Sequence, residues 1–385
     1  MKKVLLILLV SALAVSCKNK DKDDPAPGGG SGTINSGWQQ LGGSLNLSFT
    51  NENIWAITID PSNNVYISPD YFGTGDWTPY KFNGTSWSKV GNLSSSDPLE
   101  HFQLQLDGAG NLYLSNNESA VISNSTNLTY IAKYDGSWSM VGDDIDTNVS
   151  AVSSEIPFIV LPSGKIYASF LQPSSGSTYR NVVWDGSHWI TMPNKYFDSL
   201  TGDTVSCDMK NSIFRDITGN VFVEGLDKNG TKVISKYNGT AWQNIGYPFA
   251  AGTTNAVYTS CYDAAGNVYF LTQTITPADY KICKWDGTNW TVYSNAGLPS
   301  GFNPFYTMAV SANGKLYLAG NLTNASGYYY VAEWNGSSWQ ELGGSNKFKA
   351  NGEIWALAVD SRGYVYAGGA FTNTSGEAYV AVYKP

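Results

Sequence analysis

The chain has 385 residues and a formal net charge of −8, with 14% of its residues charged. Binding to nucleic-acid phosphates needs a basic surface, so this acidic composition argues against a nucleic-acid partner. Two histidines and four cysteines, with no C-x-x-C pair, do not supply the ligands of a structural zinc site, and we expect no metal or other cofactor. Forty glycines and an aromatic content of 14% are typical of β-rich secreted proteins.

The first 16 residues indicate export. Lys2 and Lys3 precede an apolar run over 4–13, a pattern typical of a secretory signal and too short to remain as a membrane span. The run ends in Ala-Val-Ser-Cys at 14–17, which resembles the lipobox of bacterial lipoproteins. The resemblance implies a signal peptide over 1–16, cleavage before Cys17 and attachment of lipid, such as palmitate, to that residue. The alternative is an ordinary signal peptide followed by an incidental cysteine.

Residues 17–36 form a polar segment rich in Asp, Lys, Gly and Pro. Such a composition cannot bury an apolar core, and it predicts a flexible tether between the lipidated Cys17 and a folded domain. The start of the segment, CKNKDKDD, is similar to the surface-export signals of Bacteroidetes lipoproteins. The resemblance implies a protein held by its lipid anchor at the outer membrane or cell surface.

Two short phrases recur through the rest of the chain. The first ends a strand, turns at Asn-Gly or Asp-Gly and restarts at Trp, and it occurs six times, at 80–87, 132–138, 182–189, 235–242, 283–290 and 332–339. The second, typified by GNVY, occurs seven times, with its aromatic residue at 66, 113, 167, 222, 269, 317 and 366. The resulting spacing of 47 to 55 residues is typical of β-propellers built from strands and tight turns, not of helical arrays.

Each repeat predicts one blade of four antiparallel strands, which we name A to D. Strand A is apolar and alternating, strand B carries the GNVY phrase, and strands C and D form the hairpin around Asn-Gly or Asp-Gly. Because this pair tolerates a positive φ at both positions, we expect a two-residue type I′ turn. We expect the repeated Trp of strand D to pack between blades. The predicted fold class is therefore all-β, a seven-bladed β-propeller.

The two ends of the chain predict how the ring closes. Three strands of the seventh unit precede the last residue, at 354–360, 363–371 and 378–385. The missing strand D is found near the start of the chain, where GWQQLGG at 37–43 matches SWQELGG at 338–344. We therefore expect one domain over 37–385, in which the N-terminal strand completes the C-terminal blade and leaves no open sheet edge.

The repeat units resemble those of known bacterial proteins. The segment LAVDSRGYVYAGGAFTNTSG at 357–376 is similar to the beta-propeller repeats of bacterial surface proteins and to repeats of the delta-60 type. The resemblance covers nearly all of 37–385, and it implies a fold and not an activity. Units three and six depart from the pattern, with Pro162 and Ser311 where the other units have Asp at the end of strand A.

The D→A and B→C loops of a propeller share one face, which usually carries the ligand site. In this chain those loops vary while the hairpins repeat. Aromatic side chains beside short polar groups suit sugar rings and their hydroxyls, and here they include Tyr71, Trp77 and Phe197 in the loops and Trp55 and Trp355 on strand A. The alternative is that these residues fasten long loops to the ring.

Two charged features have competing interpretations. Arg215 lies in an otherwise apolar column of strand A, where it could bind an anionic ligand group or form an ion pair between blades. Asp143, Asp144 and Asp146 could supply oxygen ligands to calcium. Their loop lacks the glycine and the closing glutamate of an EF-hand, so a solvated acidic loop is favoured.

Three classes of function remain open. The leading hypothesis is a monomeric, non-enzymatic binding module held on the membrane by its lipid, with a glycan as the expected ligand. The second is a protein-interaction scaffold in an outer-membrane complex. The third is a lyase or hydrolase with its site at the channel mouth, in which His101 acts as base with help from Glu100. Because no Ser-His-Asp order or G-x-S-x-G motif is present, we assign no catalytic residue and include His101 among the ligand-binding candidates.

Overall fold

A computed structural model describes residues 36–385, apart from positions 44, 46–52, 71–74, 77, 96–101, 117–121, 124–127, 130, 143–156, 173–177, 194, 199–202, 207, 250–253, 276–277 and 300–306. The described residues form strands, turns and bends and contain no helix, so no helix among them could cross a membrane. The predicted signal peptide, Cys17 and nearly all of the tether lie outside the described residues, and the predicted domain boundaries remain predictions.

Seven four-stranded antiparallel sheets make up the fold, and each sheet is one blade. Blade one comprises Asn53–Ile59, Val65–Asp70, Tyr80–Phe82 and Trp87–Lys89. Blade two comprises Phe102–Leu106, Leu112–Asn116, Ile131–Tyr134 and Trp138–Met140. Blade three comprises Phe158–Val160, Ile166–Gln172, Thr178–Trp184 and Trp189–Thr191. Blade four comprises Asp208–Arg215, Val221–Leu226, Lys232–Tyr237 and Trp242–Asn244.

The remaining three blades follow the same order. Blade five comprises Thr254–Tyr262, Val268–Ile275, Ala278–Trp285 and Trp290–Val292. Blade six comprises Thr307–Val310, Leu316–Ala319, Ala332–Trp334 and Trp339–Glu341. Blade seven comprises Ile354–Val359, Val365–Gly369, Ala381–Lys384 and, as its fourth strand, Gly37–Gln40. The described residues also form three two-stranded ribbons outside the seven blades. The ribbons are Gly75–Asp76 with Ser94–Ser95, Ile122–Ser123 with Leu128–Thr129, and Lys195–Asp198 with Asp203–Ser206.

The sheets form a closed ring. Strand A of every blade contacts strand A of both neighbouring blades, and blade seven meets blade one in the same way. Gly37–Gln40 pairs antiparallel with Ala381–Lys384, with Trp38 opposite Tyr383. The prediction that the N-terminal strand completes the C-terminal blade is confirmed. Strand A therefore lines the centre, and strand D lies outermost.

The Trp of strand D links each blade to the one before it. Its indole Nε1 donates a hydrogen bond to a backbone carbonyl at the end of the preceding strand D, at distances of 2.7 to 3.2 Å. The six donor–acceptor pairs are Trp38–Leu342, Trp87–Leu41, Trp138–Val90, Trp189–Val141, Trp290–Ile245 and Trp339–Ser294. The predicted packing role of these Trp residues is confirmed, and the hydrogen bonds add a directional tie.

Blade four departs from this pattern. In the described contacts, the indole N–H of Trp242 has no hydrogen-bond partner. Tyr196, from the ribbon inserted between blades three and four, instead stacks on Trp242 with ring centroids 5.6 Å apart. The Tyr196 hydroxyl donates to Ser235 Oγ of blade four at 3.0 Å. The inserted ribbon is thus fastened to the ring by the aromatic contact that the alternative interpretation of the loop residues anticipates.

The hairpin between strands C and D is correctly located, but the type I′ prediction is wrong. Four residues separate the paired aromatics Phe82 and Trp87, and the Asn83 side chain accepts hydrogen bonds from the N–H groups of Thr85 and Ser86, both at 3.0 Å. Gly84 has a φ of +97°, whereas Asn63, in another turn, is the one described non-glycine residue with a positive φ. The Asn or Asp is therefore selected for its side-chain oxygen, which closes an Asx-type turn.

The turn between strands A and B is built on an aspartate. In blade two, Asp107 Oδ1 accepts hydrogen bonds from two backbone N–H groups, and Oδ2 accepts from Asn111 Nδ2 and the Tyr113 hydroxyl. The equivalent residue of blade three is Leu161 and not Pro162, because the Leu161 backbone makes the turn bonds to Lys165 and Gly164. The sequence-based alignment is wrong there by one residue. Ser311 occupies the expected place in blade six, and its Oγ accepts from Lys315 N.

Cys261 and Cys283 test the assignment of strands within blade five. Cys261 lies on strand A opposite Tyr269 of strand B, and Cys283 lies on strand C opposite Phe270. Strand B therefore separates the two cysteines, and both thiols are free. The expectation that they are too far apart for a disulfide is confirmed. Burial raises the pKa of Cys283 to about 12, so its thiol stays protonated at neutral pH.

Replacing Trp138 by Phe should lower the free energy of unfolding by about 1 kcal/mol more than replacing Trp242 by Phe. Both changes keep an aromatic ring against the neighbouring blade, but the first removes an indole hydrogen bond, at 2.7 Å to Val90 O. Urea denaturation followed by circular dichroism measures both variants against the unmodified protein. Equal losses of unfolding free energy would show that the indole hydrogen bonds contribute no stability beyond the packing of the aromatic side chains.

Candidate functional site

The two faces of the ring differ in what they carry. Strand A follows the D→A loop, so its first residues lie on the face of the D→A and B→C loops, which we call the loop face. Its last residues lead into the A→B turn on the opposite face, which we call the turn face. The predicted ligand side is the loop face, and the candidate site is built there from residues of strands A, B and C.

Three aromatic residues near the loop-face end of strand A sit in β-bulges. The pairing register shifts between Ile54 and Ala56, between Ile354 and Ala356, and between Val257 and Thr259. The residue skipped in each case is aromatic, namely Trp55, Trp355 and Tyr258. A bulge sets two residues of one strand opposite a single residue of the other and redirects the side chain of the extra residue. The bulges therefore free these three side chains from the alternation that would otherwise fix their direction.

Trp55 and Trp355 form a pair across the interface of blades one and seven. Their ring centroids are 5.7 Å apart, and the planes meet at 63° in an edge-to-face arrangement. Trp355 Nε1 donates to Glu353 Oε2 at 3.1 Å, so a carboxylate lies beside the rings. Both rings are partly exposed. Flat apolar faces next to an oxygen acceptor can contact the C–H groups of a sugar and accept from its hydroxyls.

A second polar and aromatic group lies on blade five. The Tyr258 hydroxyl donates to Gln273 Oε1 at 2.8 Å, and Gln273 Nε2 donates to the Tyr280 hydroxyl oxygen at 3.3 Å. The two tyrosine rings have centroids 5.8 Å apart. Partial burial raises the pKa of both hydroxyls, so they are neutral at physiological pH. This group presents hydroxyl and amide dipoles without net charge.

Glu224 of blade four is the residue of this face that sequence reasoning missed. It is 5% exposed on strand B, where the equivalent residues of the other blades are smaller or apolar, namely Ser68, Ser115, Ser169, Leu271, Ala319 and Gly368. Tyr247 donates to Glu224 Oε1 at 3.4 Å, and Lys232 Nζ lies 3.8 Å from the same oxygen. The signal was available as one carboxylate in a column without other charges, because a buried charge requires partners.

The charge of Glu224 affects its neighbour. Burial raises the pKa of Tyr247 most strongly, and repulsion from the Glu224 carboxylate raises it further, well above the usual value of 10.0. The Tyr247 hydroxyl therefore stays protonated and keeps donating to Glu224 over the whole physiological range. A carboxylate, a neutral phenol and an ammonium group are chemically able to exchange protons with a bound molecule.

The predicted site residues are only partly brought together. Trp55 and Trp355, both predicted on strand A as ligand-binding residues, are in contact. Arg215 is the last residue of its strand, so it lies at the turn face, away from these rings. Its guanidinium carbon is 5.2 Å from the ring centroid of Tyr262 in blade five, an inter-blade cation–π contact in place of the expected ion pair.

The remaining predicted residues are less completely placed. Phe197 lies on the ribbon strand Lys195–Asp198, opposite Thr204, and its side chain is outside the described part of the structure. Tyr71, Trp77, His101 and the acidic loop at 143–146 also lie outside the described residues. Within the described residues, no three His, Cys, Asp or Glu side chains are grouped closely enough to hold a metal ion.

Comparison with known proteins finds likeness in structure alone. No family model and no curated protein matches the chain. The chain is similar to a catalytically inactive virginiamycin B lyase from Staphylococcus aureus crystallised with quinupristin, at 11% identity and a TM-score of 0.56, covering 90% of this chain and 99% of that one. It is also similar to the BP39L lectin from Burkholderia pseudomallei, at 12% identity and a TM-score of 0.50, covering 87% and 97%.

A fungal alcohol oxidase in complex with copper is similar as well, at 13% identity and a TM-score of 0.52, covering 91% of this chain and 77% of that one. A lyase, a lectin and an oxidase thus share this architecture. At such low identity the comparisons show the propeller fold and leave the activity to be argued from the residues.

The stability of the protein should fall more steeply above pH 10 than that of Tyr247→Phe. A tyrosine whose pKa is raised in the fold contributes stability that is complete below its unfolded pKa of 10.0 and is lost as the pH rises toward the folded value. The unmodified protein should therefore lose about 1 kcal/mol more per pH unit above 10 than the variant. Urea denaturation at pH 9, 10 and 11 measures this difference.

Tyr328→Phe, at an exposed tyrosine of blade six, is the matched control for the removal of a tyrosine hydroxyl. If Tyr247→Phe and the unmodified protein lose stability in parallel above pH 10, the Tyr247 hydroxyl is not buried beside Glu224 in the folded protein.

Proposed function

We propose that the protein is a lipid-anchored surface protein whose loop face binds a saccharide without chemical conversion. The observation that carries the proposal is the pair of bulged rings, Trp55 and Trp355, held beside the Glu353 carboxylate at the centre of this face. Backbone bulges that direct two large aromatic side chains away from a regular ladder are typical of places where a strand is shaped for a site. The bound molecule would lie across the mouth of the central channel.

The chemistry of the surrounding residues favours a neutral, hydroxyl-rich ligand. Tyr258, Gln273 and Tyr280 add donors and acceptors without charge, and sugars are recognised through aromatic faces and such polar groups. The lectin among the similar structures supports the proposal only in so far as the same architecture serves a sugar-binding protein. A protein-interaction scaffold remains the alternative where the loops, and not the rings, make the contacts.

An enzymatic role is the second candidate, and one observation favours it. Glu224 is a buried carboxylate next to the protonated hydroxyl of Tyr247 and the ammonium group of Lys232. Such a group could transfer protons in a lyase or hydrolase reaction on a sugar bound at the same face. Glu224→Gln keeps the size of the side chain and removes the carboxylate, so release of unsaturated or shortened products by the unmodified protein, lost in this variant, would favour catalysis over binding.

The anchoring part of the proposal comes from the first 36 residues. A basic start, an apolar run and Ala-Val-Ser-Cys at 14–17 support export, cleavage and lipidation of Cys17. A lipid chain contributes membrane affinity in proportion to the buried methylene groups. The tether would then hold the propeller at the outer membrane or cell surface, where saccharides are accessible.

Replacing Trp355 by Ala should weaken saccharide binding by about tenfold, because one face of the proposed stacking platform is lost. A glycan array identifies the ligand, and isothermal titration calorimetry of that ligand against both proteins measures the loss. Tyr364→Ala is the matched control, since Tyr364 lies in the A→B turn of the same blade on the turn face. An array without any bound saccharide, or equal affinity of Trp355→Ala and the unmodified protein, contradicts the binding proposal.

Replacing Cys17 by Ser should abolish incorporation of labelled palmitate and move the protein from the membrane fraction to the soluble fraction. The physical reason is that the acyl chains attached to this residue supply the membrane affinity. Cys283→Ser is the control, because Cys283 is a buried core residue and should leave labelling unchanged. Unchanged labelling of Cys17→Ser would mean that Cys17 is an incidental residue after an ordinary signal peptide.

A further inference from the structure

A cleft of about 450 Å³ opens on the turn face between blades two and three. Tyr113 and Lys133 of blade two line one side, and Ser163, Gly164 and Trp184 of blade three line the other. These residues lie at the opposite ends of the strands from the loop-face site, and the proposed function makes no use of them.

The interface between blades five and six repeats the walls of this cleft. Strand register makes the following residues equivalent: Asp107 and Asp263, Tyr113 and Tyr269, Gly164 and Gly314, and Trp184 and Trp334. The local geometry agrees, because a Cβ at Gly164 would lie 3.7 Å from the Tyr113 hydroxyl, and one at Gly314 would lie 3.5 Å from the Tyr269 hydroxyl. The two interfaces are therefore two copies of one arrangement.

Among the positions at which the two copies differ, the residue that follows strand D changes most in size. Val141 follows strand D of blade two, and its N–H donates to Ile131 O at 3.1 Å. Tyr293 holds the same place after strand D of blade five, and its N–H donates to Ile282 O at 2.8 Å. The Tyr293 ring has its centroid 6.3 Å from that of Tyr269 and 5.4 Å from that of Trp334, edge-to-face with the latter.

A phenol ring thus fills, between blades five and six, the space that valine leaves open between blades two and three. Tyr269 and Trp334, which contact that ring, correspond to Tyr113 and Trp184, which line the cleft. Lys133, whose Nζ lies 3.0 Å from Asp135 Oδ2, also lines the cleft. The Asp107 carboxylate, which accepts from the Tyr113 hydroxyl, is a further lining residue.

We propose that the cleft between blades two and three binds a phenolic ring in the place that Tyr293 occupies between blades five and six. The ring packs edge-to-face against Trp184 and directs its hydroxyl toward Asp107 and Tyr113. A phenolic ring is supplied either by a free phenol or by a tyrosine side chain of a partner protein. For p-cresol, the side-chain analogue of tyrosine, the ligand-efficiency limits of small molecules place the dissociation constant roughly in the millimolar range.

Two reciprocal substitutions test the proposal. Titration of the full chain with p-cresol, followed by ligand-observed NMR and calorimetry, should show one site. Val141→Tyr supplies the ring from the protein itself and should weaken p-cresol binding by at least about tenfold, because the new side chain occupies the place of the ligand. Tyr293→Val opens the equivalent space between blades five and six and should raise the stoichiometry from one to two.

Circular dichroism and thermal melting establish that the variants fold. If Val141→Tyr does not fold, the stoichiometry of Tyr293→Val decides the question. Trp355→Ala, on the loop face, should bind p-cresol as the unmodified protein does, which separates this site from the proposed saccharide site. No p-cresol binding by the unmodified protein, unchanged binding by Val141→Tyr, or a preference for methyl glucoside over p-cresol in this cleft overturns the proposal.

A short tyrosine-containing peptide distinguishes the two sources of the ring. Binding of the peptide about tenfold more tightly than p-cresol supports a tyrosine of a partner protein, because neighbouring residues add contacts. Equal or weaker binding of the peptide supports a free phenol. In both cases Val141→Tyr must reduce the binding.

Discussion

Closure of the ring is the constraint on which the rest of the structure depends. In every blade except blade four, the outer strand is joined to the previous one by an indole hydrogen bond, and the bond from blade one is accepted by the carbonyl of Leu41, in the segment that comes from the start of the chain. Without Gly37–Gln40, Trp87 would lose its acceptor and Ala381–Lys384 would become an open edge. The repeated Trp is therefore conserved within the chain for a geometric reason, and its repetition carries no information about the ligand.

Much of the fold could be predicted from the sequence because the residues that define one blade recur in every repeat. The blade number, the strand order and the closing strand could all be predicted from recurring aromatic and glycine residues. The turn chemistry could not, because an Asn-Gly pair is compatible with both a type I′ turn and an Asx-type turn, and only loop length decides. The choice between Leu161 and Pro162 failed for a related reason, since blade three has neither the aspartate nor a polar residue such as Ser311 to fix the alignment at this position.

The candidate site was predictable only where it coincided with the repeat. Trp55 and Trp355 were predictable as aromatic residues of strand A because this strand recurs in every repeat. The bulges that redirect their side chains could not be predicted, because an inserted residue does not show in an alternating apolar pattern. Glu224 was not predicted, because the ligand-binding candidates were sought in the loops and on strand A, whereas this carboxylate lies on strand B. Arg215 was recognised as an outlier, yet its partner, Tyr262, belongs to the next blade, and contacts between blades cannot be read from one repeat.

The comparison of blades indicates which positions of a repeat protein can take part in ligand binding. Positions that carry the same type of residue in all blades have a structural role in the ring, so their side chains are not available for a ligand. A position becomes available for a ligand where one blade departs from the others without loss of the ring, as Glu224 does on strand B. The residue after strand D is apolar and not aromatic in six blades, and only in blade five does an aromatic residue, Tyr293, hold this place. The interface of blades five and six serves as the reference state for this argument, because Tyr293 shows what the same walls hold when the chain supplies the ring itself. Comparing equivalent interfaces within one chain thus separates residues that build the propeller from residues that could make it selective.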